Sequence, residues 1–157
     1  MQHRRTGYVV CAEWDEHSRP ADSAARRGVK TFMSREISIT FMSGPLDGRT
    51  QRFDQPDIGD ERVLRIGRRE GCEIHLPFDN QVSRIHARLG CKSTPVTASD
   101  SVAEPYVLYF WLEDMSSRNG TFVERDRKPL YGRVSVRPGT MFRIGRTWLR
   151  LDVPMSV

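Results

Sequence analysis

Three short stretches carry residue types suited to holding an oxyanion: Ile66-Gly67-Arg68, Val82-Ser83-Arg84-Ile85-His86, and Asp114 to Thr121, which reads Asp-Met-Ser-Ser-Arg-Asn-Gly-Thr. Arg68 follows a glycine at the end of an apolar run, where the chain can turn sharply and present a guanidinium, the side chain whose planar fork best fits a phosphate. Ser83 adds a hydroxyl donor, Arg84 a second positive charge, and Asn119 an amide donor beside Gly120 in a turn. Taken singly these are ordinary: a surface arginine is commonly just solvated, a serine caps turns, and Asn-Gly is a frequent hairpin. Their recurrence in order suggests three loops converging on one anion.

The elements that must position these loops are short strands. From Ile37 onward, β-branched and aromatic runs alternate with Gly, Pro, Asp and Asn, and no helical period is visible. Nine strands are expected: 36–42, 48–54, 62–68, 73–76, 85–90, 106–114, 121–124, 141–145 and 147–153. Ile37, Ile39 and Phe41 against Ser38 and Thr40 give one apolar and one wet face. So many short strands imply an all-β sandwich of two antiparallel-rich sheets. Trp111 and Trp148 fall in strands as core or sheet-face residues. Residues 91–105 are polar, contain proline, and are expected as an extended surface loop.

Residues 1–34 differ in composition and are expected as a mobile basic tail, with a folded domain over 35–157. Positions 1–35 carry seven basic and four acidic residues, a net +3 of the whole chain's +5. Much of the basicity thus lies outside the domain, which weakens a nucleic-acid reading. Neither a groove-reading helix nor an aromatic pair on an RNA-binding sheet is evident. No apolar run approaches a membrane span or a signal-peptide core, and the three cysteines, an odd number, point to a reducing, cytoplasmic setting. Cys72 with His75 supplies too few ligands for zinc, so no metal and no cofactor are expected.

The loop motifs resemble those of the forkhead-associated (FHA) domain, a phosphothreonine-recognition family. Gly67-Arg68, Ser83 to His86, and Asp114 to Thr121 correspond in order and approximate spacing to its GR, SxxH and DxxSxNGT signatures. Cys72 to Leu76 and Ser43 to Gly48 agree as supporting segments, and the likeness runs from about Ile37 to Val153. The resemblance implies an eleven-stranded or similar sandwich, with Arg68 and Ser83 on the phosphate and Asn119 on the peptide backbone. Arg84, Ser117 and Arg118 take auxiliary contacts, while Gly67, His86 and Gly120 support the loops, the histidine by hydrogen bonds. The insertion at 91–105, Glu124-Arg125 in place of Asn-Gly, and Gly139-Thr140 in place of Gly-Asp depart from the pattern.

The implied function is a non-catalytic module that binds phosphothreonine segments in Ser/Thr kinase signalling. The alternatives are a phosphate-independent protein scaffold on the same fold, or a basic nucleic-acid binder acting through the tail. A hydrolase triad of Ser83, His86 and Asp114 is disfavoured: residues three apart on an extended chain point to opposite faces, and the GxSxG elbow is missing. Thr6, in Arg-Arg-Thr-Gly-Tyr-Val-Val, is a candidate phosphosite whose modified form could bind the domain's own loops or those of a second copy. Thr31 is a weaker one.

Overall fold

The structure, a computed structural model, describes residues 35–96 and 106–154 in full and the backbone of Val9–Cys11. The rest of the expected tail, Thr6 and Thr31 included, and residues 97–105 lie outside the described residues.

Among the described residues there are eleven strands and no helix. One sheet contains β2 (Glu36–Phe41), β3 (Thr50–Asp54), β8 (Thr121–Val123), β10 (Met141–Ile144) and β11 (Thr147–Asp152), in the order β3-β2-β11-β10-β8, all antiparallel. The other runs β1 (Val9–Cys11), β7 (Tyr106–Asp114), β6 (Ala87–Pro95), β4 (Glu61–Gly67) and β5 (Ile74–His75). Here β9 (Arg133–Val136) pairs with β7 as well, along residues 110–113, while β1 runs parallel to β7 at 106–108. The two short strands therefore share one edge of β7.

Alternation fixes which face is inside, because each strand's side chains point alternately to its two faces. Ile37, Ile39, Phe41, Phe142, Ile144, Leu149 and Leu151 from one sheet meet Leu64, Ile66, Leu89, Leu108, Phe110 and Leu112 from the other, all buried. Trp111 and Trp148 lie half-buried on outer faces. The Trp111 ring lies across Gly90, where a Cβ would fall 1.9 Å from it. Its Nε1 donates to Glu61 Oε1 at 2.9 Å, and Arg133 sits 3.8 Å from its centroid.

The nine expected strands are present, with two additions and one correction. β9 carries only two apolar residues, Val134 and Val136, too few for a legible period. β1 is three residues long. The expected loop at 91–105 begins too early, since Cys91 to Pro95 complete β6 against β7, with Cys91 and Ser93 buried.

Both departures in the hairpins have local explanations. Glu124 occupies a left-handed turn position, φ 52°, where asparagine would be less strained, and its carboxylate takes the Met141 N–H at 3.3 Å. Buried Thr140 accepts the Arg137 N–H through Oγ1 at 3.2 Å, the bond an aspartate carboxylate would make.

Candidate functional site

Sheet register brings the loops together. Ile66 pairs with Ala87 and Ala87 with Asp114, so the end of β4, the start of β6 and the end of β7 form one row at one end of the sheet. The loop 68–73, the loop 76–86 and the loop 115–120 leave from that row.

The first two loops are stitched by backbone bonds: Arg68 N to Ser83 O at 3.1 Å and Arg69 N to Arg84 O at 3.0 Å. Such an approach requires glycine at 67, because a Cβ there would lie 2.1 Å from the Arg84 carbonyl oxygen. The third loop joins through the serine, whose Oγ accepts the Arg118 N–H at 3.0 Å. That bond uses a lone pair and leaves the Ser83 hydroxyl proton for a further acceptor. Arg68 donates its Nε to Val82 O at 3.2 Å, which orients the guanidinium while its remaining N–H groups have no partner among the described residues. Asn119 donates one amide N–H to Gln81 O at 2.8 Å and is otherwise exposed.

His86 is fully buried beneath these loops. Its Nδ1 accepts the Ser83 N–H at 3.0 Å, so Nε2 carries the proton that it donates to Gly120 O at 2.8 Å. Burial lowers its pKa below the ordinary value, outweighing the opposing pull of the Gly120 carbonyl and of Asp114 and Asp79. The ring thus bonds the Ser83 backbone and not its hydroxyl, and Asp114 stands 3.8 Å from Nε2 with its own oxygens engaged elsewhere. No Ser-His-Asp relay is formed.

The third loop holds its shape through Asp114, which accepts from Ser117 N at 2.8 Å, Ser117 Oγ at 2.5 Å and Thr121 Oγ1 at 2.7 Å. Ser117 Oγ in turn accepts the Gly120 N–H at 2.9 Å. Ser117 is therefore spent inside the loop, while Arg118 is exposed on it. Ser116 adopts φ 53°, a left-handed conformation that costs a residue with a Cβ about 1 kcal/mol.

The sequence reading missed Asp79. Its buried carboxylate accepts from Gln81 N at 3.0 Å, Arg146 N at 2.8 Å and Thr147 Oγ1 at 2.7 Å, clasping the second loop to the β10–β11 hairpin. Burial alone would raise its pKa, but these hydrogen bonds prevail and lower it. Pro77, Asp79 and Asn80 announce a turn in the sequence, yet nothing local signals a bond to residues some seventy positions away. Arg69 and Gln81 were missed as well, both contributing backbone atoms to the stitching.

The protein-family profile described as FHA domain matches residues 64–145, slightly over half of the chain and the span that carries all three loops. The chain belongs to the FHA domain family. This is a family of binding modules known for phosphothreonine-dependent interactions. Solved FHA domains share the fold. An FHA domain from an Arabidopsis thaliana hypothetical protein superposes with a TM-score of 0.55 at 21% identity, covering 79% of this chain and 92% of that one. One from Chlamydia trachomatis gives 0.53 at 19% identity over 76% and 98%. The MEK1 FHA domain, solved with a HOP1 pThr318 peptide, gives 0.51 at 15% identity over 74% and 95%. No curated protein matches the chain by sequence. In this FHA domain Arg68, Ser83 and Asn119 stand on three loops, the second of which is bonded to the other two.

Proposed function

We propose that this FHA domain is a non-catalytic reader of phosphothreonine in partner proteins, acting in the cytoplasm downstream of a Ser/Thr kinase. The observation that carries the reading is the Ser83 hydroxyl: its oxygen accepts the Arg118 N–H and its proton has no acceptor among the described residues, on the same loop whose Val82 carbonyl holds the Arg68 Nε. A phosphothreonine brings about −1.5 to −2 charge and three acceptor oxygens. Charge-assisted bonds contribute about 1.5–3 kcal/mol each, so Arg68, Ser83 and Asn119 with help from Arg84 or Arg118 support micromolar affinity after ordering costs, roughly −8 kcal/mol. Gly67, His86 and Gly120 act by shaping the loops, and Ser117 acts through Asp114 and Gly120.

Binding of the domain's own phosphorylated Thr6 is constrained by β1. Val9 lies opposite Tyr106, at the far end of β7 from Asp114, a strand length of roughly 26 Å. Thr6 stands three positions before Val9, a stretch that spans at most about 11 Å. While β1 stays paired, a modified Thr6 serves only a second copy.

A phosphothreonine peptide library titrated beside unphosphorylated and phosphoserine versions tests the reading. Selective binding of the phosphothreonine set is expected. Equal binding of all three would move the function to phosphate-independent scaffolding.

A further inference from the structure

The outer face of the five-stranded sheet carries a cleft that shares no residue with the three phosphate loops. Register sets Phe122, Arg143 and Trp148 in one row across β8, β10 and β11, and alternation turns all three away from the core. The turn after β8, Glu124 to Arg127, completes the lining. The cleft measures about 370 Å³, within the range of small-molecule sites.

Arg143 is fixed at its centre. The guanidinium lies over the Phe122 ring, 4.3 Å from the centroid, and Nη1 donates to Gly145 O at 2.7 Å. Although half-buried, it has no ion-pair partner among the described residues, whereas Arg65, Arg88 and Arg133 on the other sheet each have one. Trp148 gives a second flat surface. Its backbone N–H is bonded to Ser43 Oγ at 2.9 Å, while its indole N–H has no acceptor among the described residues. Arg125 and Arg127 stand exposed in the turn, also without a described ion-pair partner. Glu124 takes the Met141 N–H, and the Asp126 carboxylate accepts no described bond. Both acids keep their charge, so three arginines and two carboxylates leave the lining at a net +1.

This lining offers planar surfaces, guanidinium forks and a free carboxylate together. A bare anion would use the arginines alone, and an apolar side chain would bury charged groups without satisfying them. A nucleotide with an amino-bearing base uses all three. Its ring stacks on an aromatic or guanidinium plane, its phosphate accepts from arginine, and its exocyclic amine or ribose hydroxyls donate to Asp126. We infer that this cleft is a second ligand site, one that binds a free nucleotide with an aminated base independently of the phosphothreonine loops.

NMR titration of the full chain with AMP, adenosine, inorganic phosphate and a short oligoadenylate tests this. AMP is expected to shift the Trp148 indole N–H and the amides of Arg125 to Arg127 saturably, with a Kd below about 1 mM. Adenosine and inorganic phosphate should each bind at least about tenfold more weakly, because each forfeits either the charge-assisted bonds or the stacking. Arg143→Gln should remove most of the AMP response. Arg127→Gln, an exposed change with no described bond to lose, should weaken it several-fold even if the first variant loosens the β10–β11 hairpin. A saturating phosphothreonine peptide should leave the AMP shifts in place. Absence of a saturable response to AMP, shifts centred on Ser83 and Asn119 instead, or an affinity untouched by both variants overturns the inference. Inorganic phosphate binding as tightly as AMP, or oligoadenylate binding where AMP does not, overturns it too. None of these outcomes alters the phosphothreonine reading, which rests on other residues.

Discussion

Arg68 contributes almost nothing to the core, since its single side-chain bond is to a loop carbonyl and the residue is exposed. Arg68→Ala should therefore remove at least one charge-assisted contact, about 1.5–3 kcal/mol or more than tenfold in affinity, while the thermal midpoint moves by no more than about 2 °C. Calorimetry and a melting curve on the same sample separate the two effects. Ser83 differs because its hydroxyl also anchors the Arg118 backbone. Both residues were legible in the sequence, for a physical reason: a guanidinium after glycine and a hydroxyl before histidine advertise their chemistry whatever surrounds them. Asp79 was not, because a buried carboxylate is understood only through its partners, and two of its three lie across the sandwich.

At the scale of elements, glycine at 67 and the Asp79 clasp hold the loops in place. Gly67→Ala would drive a Cβ into the Arg84 carbonyl, with backbone on both sides and no flexible side chain to yield. A loss of about 1–3 kcal/mol is expected in urea unfolding, together with weaker phosphopeptide binding, because the stitch between the first two loops opens. Asp79→Asn places an amide against donors that need an acceptor, and should cost a similar amount of stability and also affinity. Should either variant lose neither, the loops are held by something other than these contacts. The long strands were readable because period-2 alternation over six to nine residues is a strong signal, as in Tyr106–Asp114 with its alternating buried residues. β9, at four residues with a single buried position, and β1, at three, are too short to show a period. The end of β6 was hidden by composition, since Lys92, Ser93, Thr94 and Pro95 suggest a loop and only the partner strand reveals otherwise.

For the molecule as a whole, two buried titratable groups set the response to acid. His86 has a lowered pKa in the fold, so the unfolded chain binds more protons below about pH 6.5; stability is fully present above that value and falls as pH drops toward the folded pKa. Asp79 is lowered as well, and its contribution is present above about pH 4 and lost as pH falls through its folded pKa. Urea midpoints should therefore decline in two stages on acidification. The His86 ring, followed by NMR, should stay neutral below pH 6.5, and a ring that titrates at or above that value would contradict the buried, doubly bonded imidazole. Acidification would then weaken the same loops that the ligand needs, since His86 ties Ser83 to Gly120.

The phosphothreonine site we propose is formed by three loops and led by Arg68. The most direct measurement is calorimetry of one phosphothreonine peptide, selected from the library, against the wild-type chain and Arg68→Ala, with the unphosphorylated peptide beside it. Micromolar binding that needs both the phosphate and Arg68 is the predicted result. Equal affinity of wild type and variant for the phosphopeptide would contradict the site.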